Sequence, residues 1–144
     1  MSVKRANPVD PLAADDYSSL AAFRYALRKF LRFSRDILAS EANITSEQYE
    51  ALLALKTFEG GHGMSIASLS ERLQVRHHTA VACVDKLEES KLITRHAASH
   101  DRRQVHLKLT RRGTSLIARL ASIHRVAIRE RSPEMIAALQ RLAE

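Results

Sequence analysis

The chemically capable side chains of this 144-residue chain are mostly cationic, and they gather in its middle. Arg76, His77, His78, Thr79, Val81, Ala82 and Lys86 fall in one short stretch. Arg95, Asp101, Arg102 and Arg103 follow soon after. Residues 65–131 hold 14 Lys/Arg against 6 Asp/Glu, whereas the rest holds 9 against 10. The whole formal charge of +7 therefore comes from one segment. Guanidinium, ammonium and imidazole groups in such density suit a polyanion, and nucleic acid is the commonest one. Aromatics make up only 5% and Trp is absent, which argues against a stacking platform for single strands. Charge alone leaves two readings open, a solvated basic surface and a nucleic-acid site, and for the second double-stranded DNA is the expected partner.

Other chemistries find no support in the spacing. His96 and His100 are four apart but fall in a strand and a loop, and the adjacent His77 and His78 point to different faces. No Cys or carboxylate stands near them at a ligand spacing, so neither metal nor cofactor is expected. Cys83 is the one cysteine, which excludes a disulfide framework, and its place on an inward helix face marks a small core residue. Gly60, Gly61 and Gly63 do not form a phosphate-binding GxGxxG and follow a helix rather than a strand. With no nucleophile elbow and no carboxylate pair, an enzyme is not expected.

The elements that must hold the cationic stretch are mainly helical. With Pro8 and Pro11 and no period, residues 1–14 read as a flexible arm. Leu20, Phe23, Leu27, Phe30, Ser34, Ile37 and Leu38 then recur at three- and four-residue steps, predicting a helix from Asp15 or Asp16 to about Glu41. Such length outruns the core of one small domain and calls for a partner subunit. Thr45 and Gln48 form a capping box that opens a second helix, which ends at the Gly60–Gly63 break. Ser65 caps a short third helix bearing Ile66, Leu69 and Leu73. After the tight Gln74-Val75-Arg76 link comes a fourth, from about His77 to Ser90, with Ala80, Cys83, Val84 and Leu87 inside and His78, Val81, Ala82 and Asp85 outside. Val105, Leu107 and Leu109 then alternate with polar residues, a half-buried strand whose hairpin partner is Ile93–His96. Thr110 caps a fifth helix with Leu116, Leu120, Ile123 and Ala127 on one face, a face that also calls for a partner. Ser132-Pro133-Glu134 has the form of a further helix start.

The expected fold is thus mainly α with a small β-hairpin, a winged helix-turn-helix flanked by a helical dimerisation region. Residues 15–62 supply N-terminal dimerisation and scaffold helices, 63–110 the DNA-binding lobe, and 111–144 C-terminal dimerisation helices. A helix with a free outer face fits the major groove, and a basic hairpin tip reaches the adjacent minor groove. No apolar run is long enough to span a membrane and the N-terminus lacks a signal-peptide pattern, so a cytoplasmic protein is expected.

Three blocks carry a resemblance: Leu87-Glu88-Glu89-Ser90-Lys91-Leu92-Ile93-Thr94-Arg95, then Asp101-Arg102-Arg103-Gln104-Val105, then Leu109-Thr110-Arg111-Arg112-Gly113. In these the chain resembles the MarR-type (multiple-antibiotic-resistance) regulators, and the element order fits from about Asp16 to Leu142. The resemblance implies a homodimeric transcription regulator, commonly a repressor, on a palindromic operator, often released by a small aromatic or phenolic effector. It also implies that Arg103 enters the minor groove while Asp101 orients it. Lys91 stands where the family usually has Gly, a substitution that costs about 1 kcal/mol if the left-handed turn is kept. Val81 and Ala82 replace the usual polar readers, leaving thymine methyl contacts. They also keep a second reading open, an architectural winged-helix protein with little sequence preference. Tyr25, Phe30, Phe33 and Tyr49 could wall an effector site, though each also reads as plain core.

Overall fold

The computed structural model describes residues 11–58, 62–97 and 104–144. Among these, the order is α1 (Ala14–Ala42), α2 (Ser46–Thr57), β1 (Met64–Ser65), α3 (Ile66–Leu73), α4 (His77–Glu89), β2 (Ile93–Ala97), β3 (Val105–Leu109) and α5 (Arg111–Ala143). The first ten residues of the expected arm lie outside the described residues, and Ala14 already belongs to α1.

Capping fixes the short helices. The Gln48 N–H donates to Thr45 Oγ1 at 3.2 Å while the Thr45 N–H donates to Gln48 Oε1 at 2.8 Å, closing the expected box at the head of α2. Ser65 Oγ accepts from the Ser68 N–H at 3.1 Å and opens α3. Gln74, with φ of 54°, ends it in a left-handed conformation, and the tight link to α4 follows.

Two expectations are corrected. The sheet has three strands in the order β1-β3-β2, all antiparallel, rather than two. Met64 pairs with Leu107 and Ser65 with His106, a strand too short to show alternation. It lies close to β3 because Gly63 precedes it at φ 87°, where a Cβ would stand 2.5 Å from the Leu107 carbonyl oxygen. The second correction concerns Ser132-Pro133-Glu134, which starts nothing: α5 runs through Pro133. Proline removes the N–H that would bond the Arg129 carbonyl, but the Ser132 hydroxyl donates to that carbonyl at 3.3 Å and partly replaces the missing donor.

The chain forms two compact units, and α1 and α5 each contribute to both. One comprises Ser34–Arg125. Its core is built on Leu38, Leu52, Leu69, Val84, Leu87, Ile93, Leu107, Ile117 and Leu120, all fully buried. The inward positions of α5 here are Gly113, Ile117, Leu120 and His124, whereas Leu116 and Ile123 are half-buried. The expected stripe is thus displaced on one side, because a reading confined to apolar types passes over a glycine and a histidine that keep the helical period. Leu120 is buried within the chain and needs no partner.

The other unit comprises residues up to Phe33 together with Val126–Glu144. It buries Ser19, Ala26, Ala127 and Ala138, all small. Several of its large apolar side chains are exposed, with Tyr17, Leu20, Leu31, Val126, Ile128, Ile136 and Leu139 all 43% or more accessible, whereas Phe23, Leu27, Phe30 and Phe33 are half-buried. Lys29 Nζ pairs with Glu134 at 3.1 Å and lies over the Tyr25 ring, and Arg131 lies over Phe33.

Candidate nucleic-acid interface

Helix α4 is held by one face. Ala80, Cys83, Val84 and Leu87 are buried in the core. The same helical period leaves His77, His78, Thr79, Ala82, Asp85 and Lys86 exposed, with Val81 half-buried and Arg76 exposed at the N-cap. Every expected recognition residue therefore lies on or beside one accessible surface. This surface offers imidazoles, a hydroxyl and short apolar groups, together with Arg76 and Lys86 for phosphates.

The strands of the wing are set by full pairing from Ile93 with Leu109 to Ala97 with Val105. Asp101, Arg102 and Arg103, expected at its tip, lie outside the described residues. Arg95 sits at the centre of β2 and is not a free cation. Its Nη1 donates to Glu88 Oε1 at 2.7 Å and its Nη2 to Asp85 Oδ1 at 2.5 Å. These bonds, the one to Asp85 foremost, raise the guanidinium above its already high ordinary range. Helical period puts Asp85 on the outer face of α4 and Glu88 falls in a motif block, but neither position by itself points to Arg95. Two carboxylates three apart on a helix, shortly before a strand arginine, were the available signal.

The turn joining α4 to β2 shows why the motif blocks have their residues. Lys91 adopts φ of 60°, the left-handed conformation expected to be costly there. Its N–H donates to the Glu88 carbonyl and that of Leu92 to the Leu87 carbonyl, both at 2.9 Å. Thr110 Oγ1 donates to the Lys91 carbonyl at 2.7 Å and accepts from the Gly113 N–H at 3.0 Å. One threonine thus ties the end of the recognition helix to the start of α5.

A buried polar cluster escaped the sequence reading. His124, 3% exposed, hydrogen-bonds through Nδ1 to the Leu120 carbonyl and through Nε2 to Ser34 Oγ, both at 2.7 Å. Because a carbonyl only accepts, Nδ1 carries the proton and Nε2 accepts from the serine hydroxyl in the neutral ring. Tyr49 stacks on this ring at 4.5 Å between centroids. Of the expected effector walls, Tyr49 thus packs on His124, Tyr25 faces Lys29 and Phe33 faces Arg131. His124 follows Leu120 by four and precedes Ala127 by three, which was the signal for its inward place.

Burial pushes the Cys83 thiol up to about 11, so it is a protonated core residue. His96 bonds to Thr94 Oγ1 at 2.6 Å and His106 Nδ1 meets the His62 carbonyl at 3.0 Å. Among the described residues no three His, Cys, Asp or Glu side chains gather to hold a metal, and no helix is long and apolar enough to cross a membrane.

A helix held by one buried face, beside a paired hairpin, is the winged helix-turn-helix arrangement, and residues 42–104 match the model of the MarR family. Residues 42–104 belong to the MarR family. Among solved structures, it is similar to a point mutant of Staphylococcus aureus MepR, with 25% identity, 88% of this chain and 96% of that one covered, and a TM-score of 0.74. A MepR–DNA complex matches at 25% identity over 85% and 96% of the two chains, with a TM-score of 0.62. AbsC, a MarR family transcriptional regulator from Streptomyces coelicolor, shares the fold at 20% identity over 85% and 82%, with a TM-score of 0.74. The chain with this MarR-family segment is therefore a transcription regulator and not an enzyme.

Proposed function

We propose that this MarR-family regulator binds double-stranded DNA as a homodimer and represses transcription from a palindromic operator. The single observation that carries the reading is the free face of α4, where His77, His78, Thr79, Ala82 and Lys86 are exposed while the opposite face is locked in the core. DNA's major groove admits one helix of this kind. Arg76 and Lys86 contact phosphates, His77, His78 and Thr79 reach base edges, and Val81 and Ala82 touch thymine methyls. In the wing, Arg102 and Arg103 enter the minor groove, Asp101 orients Arg103, and Arg95 supports them from β2. The MepR structure solved with DNA lends support through its shared fold.

Dimerisation rests on the unit formed by the two chain ends, where Leu20, Ile128, Ile136 and Leu139 are exposed although they are large and apolar. A second copy would cover Leu20, Ile128, Ile136 and Leu139. Release by a small aromatic or phenolic effector completes the reading. A groove of about 740 Å³ near Arg112, Ser115 and Arg119 has a volume in the range that small ligands occupy, roughly 300–1,000 Å³.

The test is selection of duplexes from a randomised pool, followed by competition. A palindromic winner that outcompetes random DNA by roughly 10³-fold or more supports the reading. Val81 and Ala82 favour the second reading, an architectural protein, and equal competition by random DNA would establish that one instead.

A further inference from the structure

Helix α4 divides its outer surface. Its first two turns present His77, His78, Thr79 and Ala82, and its last turns present Asp85 and Glu88. These two carboxylates, three residues apart, share a face. Arg95 reaches them from the centre of β2, where its backbone is paired opposite Leu107. One planar guanidinium thus grips two points on the recognition helix, at 2.5 Å and 2.7 Å, from the middle of the wing's first strand. The Arg95 side chain is only 26% exposed, whereas Asp85 and Glu88 are 60% and 42% exposed.

This arrangement conflicts with a simple phosphate contact. Both terminal nitrogens of Arg95 already face carboxylates, and the trio's net charge is −1. A surface meant to attract DNA gains nothing electrostatically from it. Its geometry instead fixes the angle between the helix and the wing strand, because a two-pronged fork tolerates little rotation. Resting on the DNA-binding reading above, we propose that Asp85, Glu88 and Arg95 form a clamp that sets the wing against the recognition helix, with Arg95 a positioning residue and the two acids required for operator binding.

The sign of one effect separates this from electrostatics alone. Asp85→Asn with Glu88→Gln removes two negative charges beside the DNA, which by charge alone should tighten binding. The clamp predicts the opposite, a loss of about tenfold on the selected duplex, the scale of one charge-assisted hydrogen bond. Hydroxyl-radical footprinting should show minor-groove protection under the wing lost while major-groove protection by α4 persists, with the unfolding midpoint unchanged. Should this variant unfold, Arg95→Lys keeps the charge, loses the fork, and is expected to give the same selective loss. A neutralised variant that binds as tightly as wild type or more so, or footprints that weaken together in both grooves, would overturn the clamp. A wild-type protein that selects no duplex would fail the DNA-binding reading itself, and the clamp's role with it.

Discussion

Gly113 and Leu92 stand so close that a Cβ at position 113 would lie 2.0 Å from the Leu92 carbonyl oxygen. The glycine of the third motif block is thus fixed by the passage of the first turn of α5 over the turn that enters β2. The obstacle is backbone, which cannot rotate away as a side chain could. Gly113→Ala should destabilise the fold by at least ~2 kcal/mol, as an overpacked core site does. Urea denaturation checks it, and a change under ~0.5 kcal/mol, the scale of an ordinary surface substitution, would show that the turn yields.

Lys91 offers the reverse experiment. It holds φ at 60° with an exposed side chain, so its backbone bears a strain that glycine would not. Glycine removes a left-handed penalty of about 1–2 kcal/mol and restores some freedom to the unfolded chain. Lys91→Gly should therefore raise stability by about 0.5–1 kcal/mol, seen as a higher urea midpoint at constant slope. A lower midpoint would mean that the lysine side chain contributes something its exposure hides.

Cys83 sets an upper pH limit on part of the stability. Its thiol is pushed from an ordinary 9.0 up to about 11, first by burial and then by Glu47, with Lys86 opposing. Below pH 9 folded and unfolded chains both keep the proton, and the site is neutral to folding. Between pH 9 and about 11 the unfolded thiol ionises while the folded one does not, which draws the equilibrium toward unfolding. Wild type should lose more stability across that window than Cys83→Ala. Parallel curves for the two proteins would place the thiol in a wetter setting than its burial shows.

The two ends of the chain should carry the dimer. Leu139→Asp, and Ile136→Asp beside it, alter side chains that a single chain leaves 46% and 49% exposed. They should convert a dimer to a monomer in light scattering with helical content retained, because a charge at an apolar interface costs several kcal/mol, about the margin of a small dimer. Leu120→Asp should instead unfold the chain, since Leu120 is wholly buried in the other unit. A wild type that scatters as a monomer at high concentration would remove the dimer altogether.

Periodicity made most of this architecture readable. The capping box at Thr45, the Ser65 cap and the inward row Ala80, Val84 and Leu87 are local signals, and each appears where the residues place it; in β3 the alternation holds at Leu107, which is buried, while Val105 at the strand's start is exposed. Failures came where the deciding partner is distant in sequence. β1 exists because two residues meet Leu107 and His106 some forty positions on. His124 is inward because Ser34 supplies a hydroxyl, ninety residues away. At Pro133 a start signal was outweighed by the helix on either side. At the recognition surface, residue type and exposure were legible, but the capture of Arg95 by Asp85 and Glu88 needed three dimensions.

DNA affinity should divide unevenly between phosphates and bases. Residues 65–131 carry the positive excess, and a dimer presents it twice. The exposed row of α4 has few base-reading donors beyond His77, His78 and Thr79, since Ala82 and Val81 offer only methyl groups. Affinity should therefore fall steeply with salt, with a log–log slope of about −0.9 for each phosphate contacted. His78→Ala and Thr79→Ala should reduce discrimination between selected and scrambled duplexes modestly while leaving this slope intact. Arg103→Ala should weaken both duplexes and make the slope shallower, whereas Arg125→Ala, on α5, should do neither. Salt titrations of the five proteins on both duplexes decide it. Collapse of discrimination on changing His78 alone, or a shallow slope in wild type, would place recognition in direct base contacts and defeat this division.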